Sequence, residues 1–259
     1  MAKITIGVQV RPQHTTWDAY QRAWLRADEL GVDTLYNWDH FFPLFGDSNG
    51  PHFEAWTLLA ALGPQTKRAR IGCLVHCMSY RNPALFSNMA KTLDHITNGR
   101  FVLGIGAGWF KRDYDEFGYE FGTPGDRLRN LERGLEIIKE RWSKDPPRPV
   151  NGTIPILIGG GGEKVTLRIT ALHADMWHTH GGPEDWARKS GILDEWCAKV
   201  GRDPNAIERT CAARPEQFDS LDKYVEAGAT HLIYGWDAPW DTKEIEHVLA
   251  WRDQVNARA

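Results

Sequence analysis

The sequence predicts an α/β protein folded as a closed (β/α)8 TIM barrel. Short β-branched runs alternate with segments of helical period from one end to the other, and the alternation yields eight strand–helix pairs. Open doubly wound sheets more often stop at about five to seven strands, so eight pairs favour closure. A chain of 259 residues also suits a barrel of repeated units. Residues 1–259 read as one domain, because the only linker-like stretch, Ser143–Thr153 with Pro146, Pro147 and Pro149, is short enough to be a surface loop.

The first strand lies near 4–10, and the helix near 17–30 places Trp17, Tyr20, Trp24, Ala27 and Leu30 on one stripe, with Gly31 as its C-cap. The second strand is Thr34–Trp38, followed by a helix from Glu54 to Leu62. Strand three is Arg70–His76; the helix after Pro83 carries Leu85, Met89, Leu93 and Ile96 and ends at Asn98-Gly99. Strand four is Phe101–Ile105, and Lys111–Thr123 beyond it reads as a charged, aromatic loop in which no helix starts. A helix near 125–142 buries Leu128, Leu131, Leu135, Ile138 and Trp142. Strand five, Ile154–Ile158, leads to a helix from Glu163 to Leu172, and strand six, Ala174–His178, to one near 184–199. Strand seven, Glu208–Ala212, leads to a helix near 217–226, and strand eight, Thr230–Tyr234, to one near 241–256.

Composition narrows the partners. Thirty-one basic and 34 acidic residues leave a net charge of −3 without basic runs, so there is no footprint for nucleic acid or for a polybasic membrane patch. The start, Ile4-Thr5-Ile6-Gly7-Val8, has no export-signal pattern, and no apolar run is long enough to span a bilayer; a soluble, cytoplasmic protein is expected. Cys73, Cys77, Cys197 and Cys211 form no C-x-x-C pair and are expected as free thiols.

On this fold the chemistry belongs at the C-terminal ends of the strands. Strand two ends in Trp38-Asp39-His40-Phe41-Phe42-Pro43, an acid and an imidazole among aromatic rings, which suits proton transfer; the alternative is a turn-capping Asp and a backbone-satisfied His. Strand four opens into Gly104-Ile105-Gly106-Ala107-Gly108-Trp109-Phe110, where glycines let a flat ligand approach and Trp109 closes the wall. No helix follows directly, which disfavours a nicotinamide Rossmann site. Gly159-Gly160-Gly161-Gly162-Glu163-Lys164 before a helical pattern reads as an anion cradle of backbone amides, although a flexible turn would have the same composition. His178 and His180 share a face at the end of strand six, and with Asp237 they could hold a metal; ligand-lining histidines fit better, and no metal is expected.

Taken together, Asp39-His40-Phe41, Tyr80-Arg81-Asn82-Pro83, Thr92–Arg100, Gly104–Trp109, Glu116-Phe117-Gly118 and Pro155–Gly160 resemble the bacterial luciferase-like flavin monooxygenase superfamily, most closely its branch that uses the deazaflavin coenzyme F420. The resemblance is motif-specific to about residue 180 and continues beyond in barrel pattern only. It implies a flat redox ring across the barrel mouth, backed by a bulge with a non-prolyl cis peptide joining Leu74 and Val75. It implies that Asp39 contacts the polar edge of the ring, that His40 exchanges the proton accompanying hydride transfer, that Trp109 flanks the substrate, and that Gly159–Gly162 hold a phosphate. The cofactor-binding set so expected is Asp39, Leu74, Val75, Gly106, Ala107, Gly108, Gly159, Gly160, Gly161, Gly162 and His178. An F420-dependent oxidoreductase of a small organic substrate is the leading expectation, with an FMN-dependent monooxygenase next and a metal-dependent barrel hydrolase or a non-catalytic ligand-binding barrel behind. Relatives often dimerise through barrel helices, so a homodimer is implied but not required.

Overall fold

The computed structural model describes residues 3–258, the side chains of residues 215–217 excepted. Its strands are β1 (Thr5–Val10), β2 (Thr34–Asn37), β3 (Arg70–Cys73), β4 (His76–Cys77), β5 (Phe101–Gly106), β6 (Ile156–Gly159), β7 (Met176–Thr179), β8 (Glu208–Ala213) and β9 (His231–Trp236). All ladders between them are parallel, β9 pairs back onto β1, and β3 and β4 both pair with β5. β3 and β4 are thus two halves of one barrel strand, and the sheet closes as eight strands. Helices α1 (Trp17–Leu30), α2 (Ala55–Leu62), α3 (Pro83–Ile96), α4 (Lys111–Phe117), α5 (Pro124–Lys144), α6 (Thr166–His173), α7 (Pro183–Val200), α8 (Leu221–Glu226) and α9 (Lys243–Arg258) run between and after the strands.

The main core lies between sheet and helices, where Trp24, Leu59, Phe86, Leu135, Ile138 and Trp186 are buried. A smaller cluster of Tyr36, Val102, Leu157, Met176 and Ile233 fills the barrel interior and carries Leu74 and Val75 above it. Below, at the strand starts, Thr34 Oγ1 meets His231 Nε2 at 2.8 Å, His231 Nδ1 lies 2.8 Å from Glu208, and Glu208 pairs with Arg70 at 3.1 Å. Burial opposes the charge on Glu208, but His231 and Arg70 outweigh it and hold the carboxyl down to about 2. The base of the barrel is therefore plugged, and the C-terminal mouth is the open end. Among the described residues no helix is long and apolar enough to cross a membrane.

Several expectations need correction. Strand three is not continuous over Arg70–His76. The pairing offset to β5 drops from 30 at Gly72↔Val102 to 29 at His76↔Ile105, so one extra residue is accommodated as a bulge at Leu74-Val75, whose peptide is cis. The segment Lys111–Thr123 does start a helix, α4, stapled by Lys111–Asp115 and Arg112–Glu116 pairs and stopped by Gly118 in the left-handed region at φ 71°. The buried face of α3 is Phe86, Ala90 and Leu93; Leu85 and Ile96 are exposed. Trp17 likewise stands outside the buried stripe of α1. α6 begins at Thr166 rather than Glu163, because the Glu163 carbonyl accepts from Trp196 Nε1 and its carboxylate pairs with Arg188. Before α8, Pro215–Ser220 form a 3₁₀ turn, so the helix there is shorter than expected. The four cysteines are free and buried.

Where strand three breaks, β5 approaches it closely: a Cβ added at Gly104 would lie 1.9 Å from the Cys73 carbonyl oxygen. Gly104→Ala must push backbone against backbone, and is expected to cost ~1–3 kcal/mol, lowering the thermal unfolding midpoint by roughly 2–12 °C in a scanning experiment.

Candidate active site

A cavity of about 370 Å³ opens at the barrel mouth, and Asp39, His40, Leu74, Val75, Gly108, Trp109, Gly159, Gly160 and His178 all line it. The bulge supplies its floor. Leu74 donates its amide to the Asn37 carbonyl at 2.9 Å and accepts from Gln9 Nε2 at 2.6 Å, so the peptide turns out of the ladder and presents Leu74 and Val75 to the mouth. Side chains at 106 and 159 would strike the Val75 methyls at 2.9 Å, so these two glycines leave Val75 its place. Gly106 ends β5, and neither it nor Ala107 lines the cavity.

Asp39 and His40 leave the end of β2 in different directions. The Asp39 carboxylate is buried and accepts two bonds from Arg81, at 2.5 and 2.9 Å, and a third from the Cys77 amide at 3.1 Å. Arg81 is held in turn by Glu54, the N-cap of α2. Burial opposes ionisation of Asp39, but the adjacent His76 and the Arg81 guanidinium outweigh it and keep the carboxyl well below the usual carboxylate range. Asp39 therefore spends its acceptors on fixing β4 and the turn after it. His40 Nδ1 lies 2.7 Å from Asp113 Oδ2, while its ring is edged by Trp109 and Phe110 at 5.8 and 5.5 Å. Asp113 is a fully buried member of α4 that sequence reasoning missed, because the helix itself was read as a loop. Its signal lay in the i,i+4 charge pairs around it.

Across the mouth, His178 is buried and Nδ1 is bonded to Thr210 Oγ1 at 2.7 Å, while Nε2 has no partner among the described residues. Burial, reinforced by His180 and His231, pushes this imidazole well below its ordinary range, so it is neutral near pH 7. Burial, with His40 beside it, likewise holds His52 down to about 4, and its Nε2 accepts from the Trp38 indole at 2.8 Å. Burial pushes the Cys77 thiol up to about 11, so this cavity-lining cysteine is not a thiolate at neutral pH. Among the described residues no group of three or more His, Cys, Asp or Glu is placed to share an ion.

The glycine run is divided between two spaces. Gly160 adopts φ 133°, donates to the His178 carbonyl at 2.9 Å and accepts from Trp177 Nε1, so its amide is not offered outward. Among the described residues the amides of Gly161 and Gly162 have no acceptor, and these residues open onto a neighbouring recess with Glu163, Lys164, Arg188 and Lys189. The two amides that remain unbonded are Gly161 and Gly162 rather than the whole run, and in the recess beside them Arg188 and Lys189 are paired with Glu163 and Asp185. Trp109, 63% exposed, stands over the edge of the cavity.

The luciferase-like monooxygenase family model matches residues 1–240. The chain belongs to that family. An F420-dependent glucose-6-phosphate dehydrogenase of Amycolatopsis mediterranei is 32% identical over 123 residues, which span 47% of this chain and 36% of that protein. A solved F420-dependent secondary alcohol dehydrogenase in complex with an F420-acetone adduct superposes with a TM-score of 0.81 at 17% identity, covering 91% of this chain and 93% of the other. The oxygenating constituent of 3,6-diketocamphane monooxygenase of Pseudomonas putida, in complex with FMN, superposes at 0.66 and 18% identity, covering 82% and 67%. These likenesses place this luciferase-like chain in the fold shared by F420 and FMN enzymes.

Removing Arg81 would strand the Asp39 carboxylate in the interior. Arg81→Met is expected to lose ~3–5 kcal/mol at pH 7. The Asp39 carboxyl is depressed in the native state, so its contribution is present above the unfolded carboxyl value near pH 4 and fades as pH falls below that. The gap between wild type and variant should therefore narrow on acidification, as read by urea unfolding at neutral pH and at about pH 3.5.

Proposed function

We propose that this protein is an oxidoreductase that uses F420 to move a hydride to or from a small organic substrate, with His40 handling the accompanying proton. The observation that carries the reading is a cavity whose floor is the apolar Leu74–Val75 shelf and whose wall includes the buried His178, its Nε2 without a partner among the described residues. A planar heterocycle held on that shelf would lie in a cavity lined by both His178 and His40, and could offer His178 a hydrogen-bonding partner. The unbonded Gly161 and Gly162 amides, with Lys164 beyond them, suit a phosphorylated side chain leaving the ring. Kinship with a named F420-dependent dehydrogenase supports F420 over FMN.

When bound, F420 supplies two-electron hydride chemistry that no side chain here can perform. The rest falls to the chain's own groups. Leu74 and Val75 seat the ring; Trp109 and Phe110 cover the mouth and limit water; His40 gives or takes a proton at Nε2. Asp39 acts at one remove, because with Arg81 it fixes the turn that carries Cys77 and the shelf.

The test is titration of the purified protein with F420 and, separately, with FMN, followed by fluorescence and absorbance. Saturable F420 binding is expected; tight FMN binding with silence toward F420 would overturn the choice. Lys164→Glu is expected to weaken F420 binding about fivefold through repulsion at the phosphate end. His40→Gln should keep F420 affinity and lose ~10²–10⁴-fold in F420-linked turnover, measured against a panel of alcohols and carbonyl compounds. Full turnover in that variant would remove His40 from the proton step, and F420 binding without turnover in the wild type would return the protein to the class of non-catalytic ligand-binding barrels.

A further inference from the structure

We propose that Asp113 is the positioning residue for His40, fixing the hydrogen on Nδ1 and making Nε2 the atom that exchanges a proton in the cavity. Its catalytic consequence rests on the role given to His40 above; its structural content does not.

Three donors converge on the buried Asp113 carboxylate. Oδ1 accepts from the Phe41 amide at 3.1 Å, and Oδ2 from the Tyr80 hydroxyl at 3.0 Å and from His40 Nδ1 at 2.7 Å. A carboxylate can only accept, so the contact with His40 assigns the ring hydrogen to Nδ1 and leaves Nε2 free. Tyr80 remains a donor, since burial, with Cys77 and Asp113 beside it, pushes its phenol far above the ordinary range. The opposite tautomer would set the Nδ1 lone pair against a buried carboxylate. Edge contacts with Trp38, Trp109 and Phe110, at 5.8, 5.8 and 5.5 Å between ring centres, hinder the ring from turning over to escape this. A proton taken up at Nε2 would create an imidazolium already paired with Asp113, the logic of an acid–imidazole dyad.

A purely structural role, pinning α4 over the mouth, is the rival. That task is shared: Arg112 bonds to the Ser48 carbonyl and the Asn49 side chain and lies over the Phe42 ring, and Phe117 stacks on Phe41 at 4.1 Å. Phe117→Ala therefore loosens the helix without touching the dyad.

The experiment is 15N NMR of the imidazoles in protein without cofactor, with His40 assigned by the signal lost in His40→Gln. Wild type is expected to show neutral His40 protonated at Nδ1. Asp113→Asn should move the hydrogen toward Nε2, and Phe117→Ala should leave it on Nδ1. In turnover with F420, Asp113→Asn should lower kcat on the order of 10²- to 10⁴-fold with little change in KM. Native His40 protonated at Nε2, or Asp113→Asn keeping the native tautomer, overturns the proposal. Should the Asn variant not fold, the wild-type spectrum alone decides. Because the tautomer is read without cofactor, a failure of F420 to bind removes the cofactor reading and leaves this one standing.

Discussion

One residue too many in the third barrel strand is the constraint on which the mouth depends. Between Gly72 and His76 the chain must absorb a position that β5 does not match, and it does so by turning the Leu74–Val75 peptide out of the ladder. The neighbouring elements are shaped to that displacement. Gly104 lets β5 press against Cys73, Gly106 and Gly159 leave the Val75 methyls their space, and Gln9 and Asn37 take up the hydrogen bonds of Leu74. Without the extra residue, Leu74 and Val75 would be ordinary strand positions and the mouth would have no floor.

Two buried acids then divide the work of holding the rim. Asp39 is neutralised by Arg81 and locks the segment after the bulge; Asp113 receives three donors and locks the segment after β2. Each is covered from water, and each makes a buried charge tolerable by filling its acceptor sites. The consequence is a rim whose polar groups are mostly committed inward, with His40 and His178 left among the residues that line the cavity.

Most of this architecture was legible in the sequence, since strand and helix periods survive even where boundaries move. The strand ends were legible too: Asp39-His40, Gly159-Gly160 and His178 carry chemistry at positions the barrel sends to one end, and they do line one cavity. What escaped were features decided by tertiary contacts. The α3 stripe was assigned to Leu85 and Ile96 by spacing, whereas packing turned Phe86 and Ala90 inward. The short helix α4 was hidden in a run of charges, and Asp113 with it; the i,i+4 pairs Lys111–Asp115 and Arg112–Glu116 mark the exposed face and leave Asp113 on the other, but only tertiary packing shows that this other face is buried. The glycine run was read as four equivalent amides, yet the carbonyl of His178, on the adjacent strand, claims one of them.

The plug at the barrel base has a kinetic meaning. With Thr34, His231, Glu208 and Arg70 filling the lower end, the shelf is approached from the barrel mouth. If a ring lies flat on Leu74 and Val75 as proposed, a second molecule entering by the mouth would cover it, and the one seated deepest would enter first and leave last.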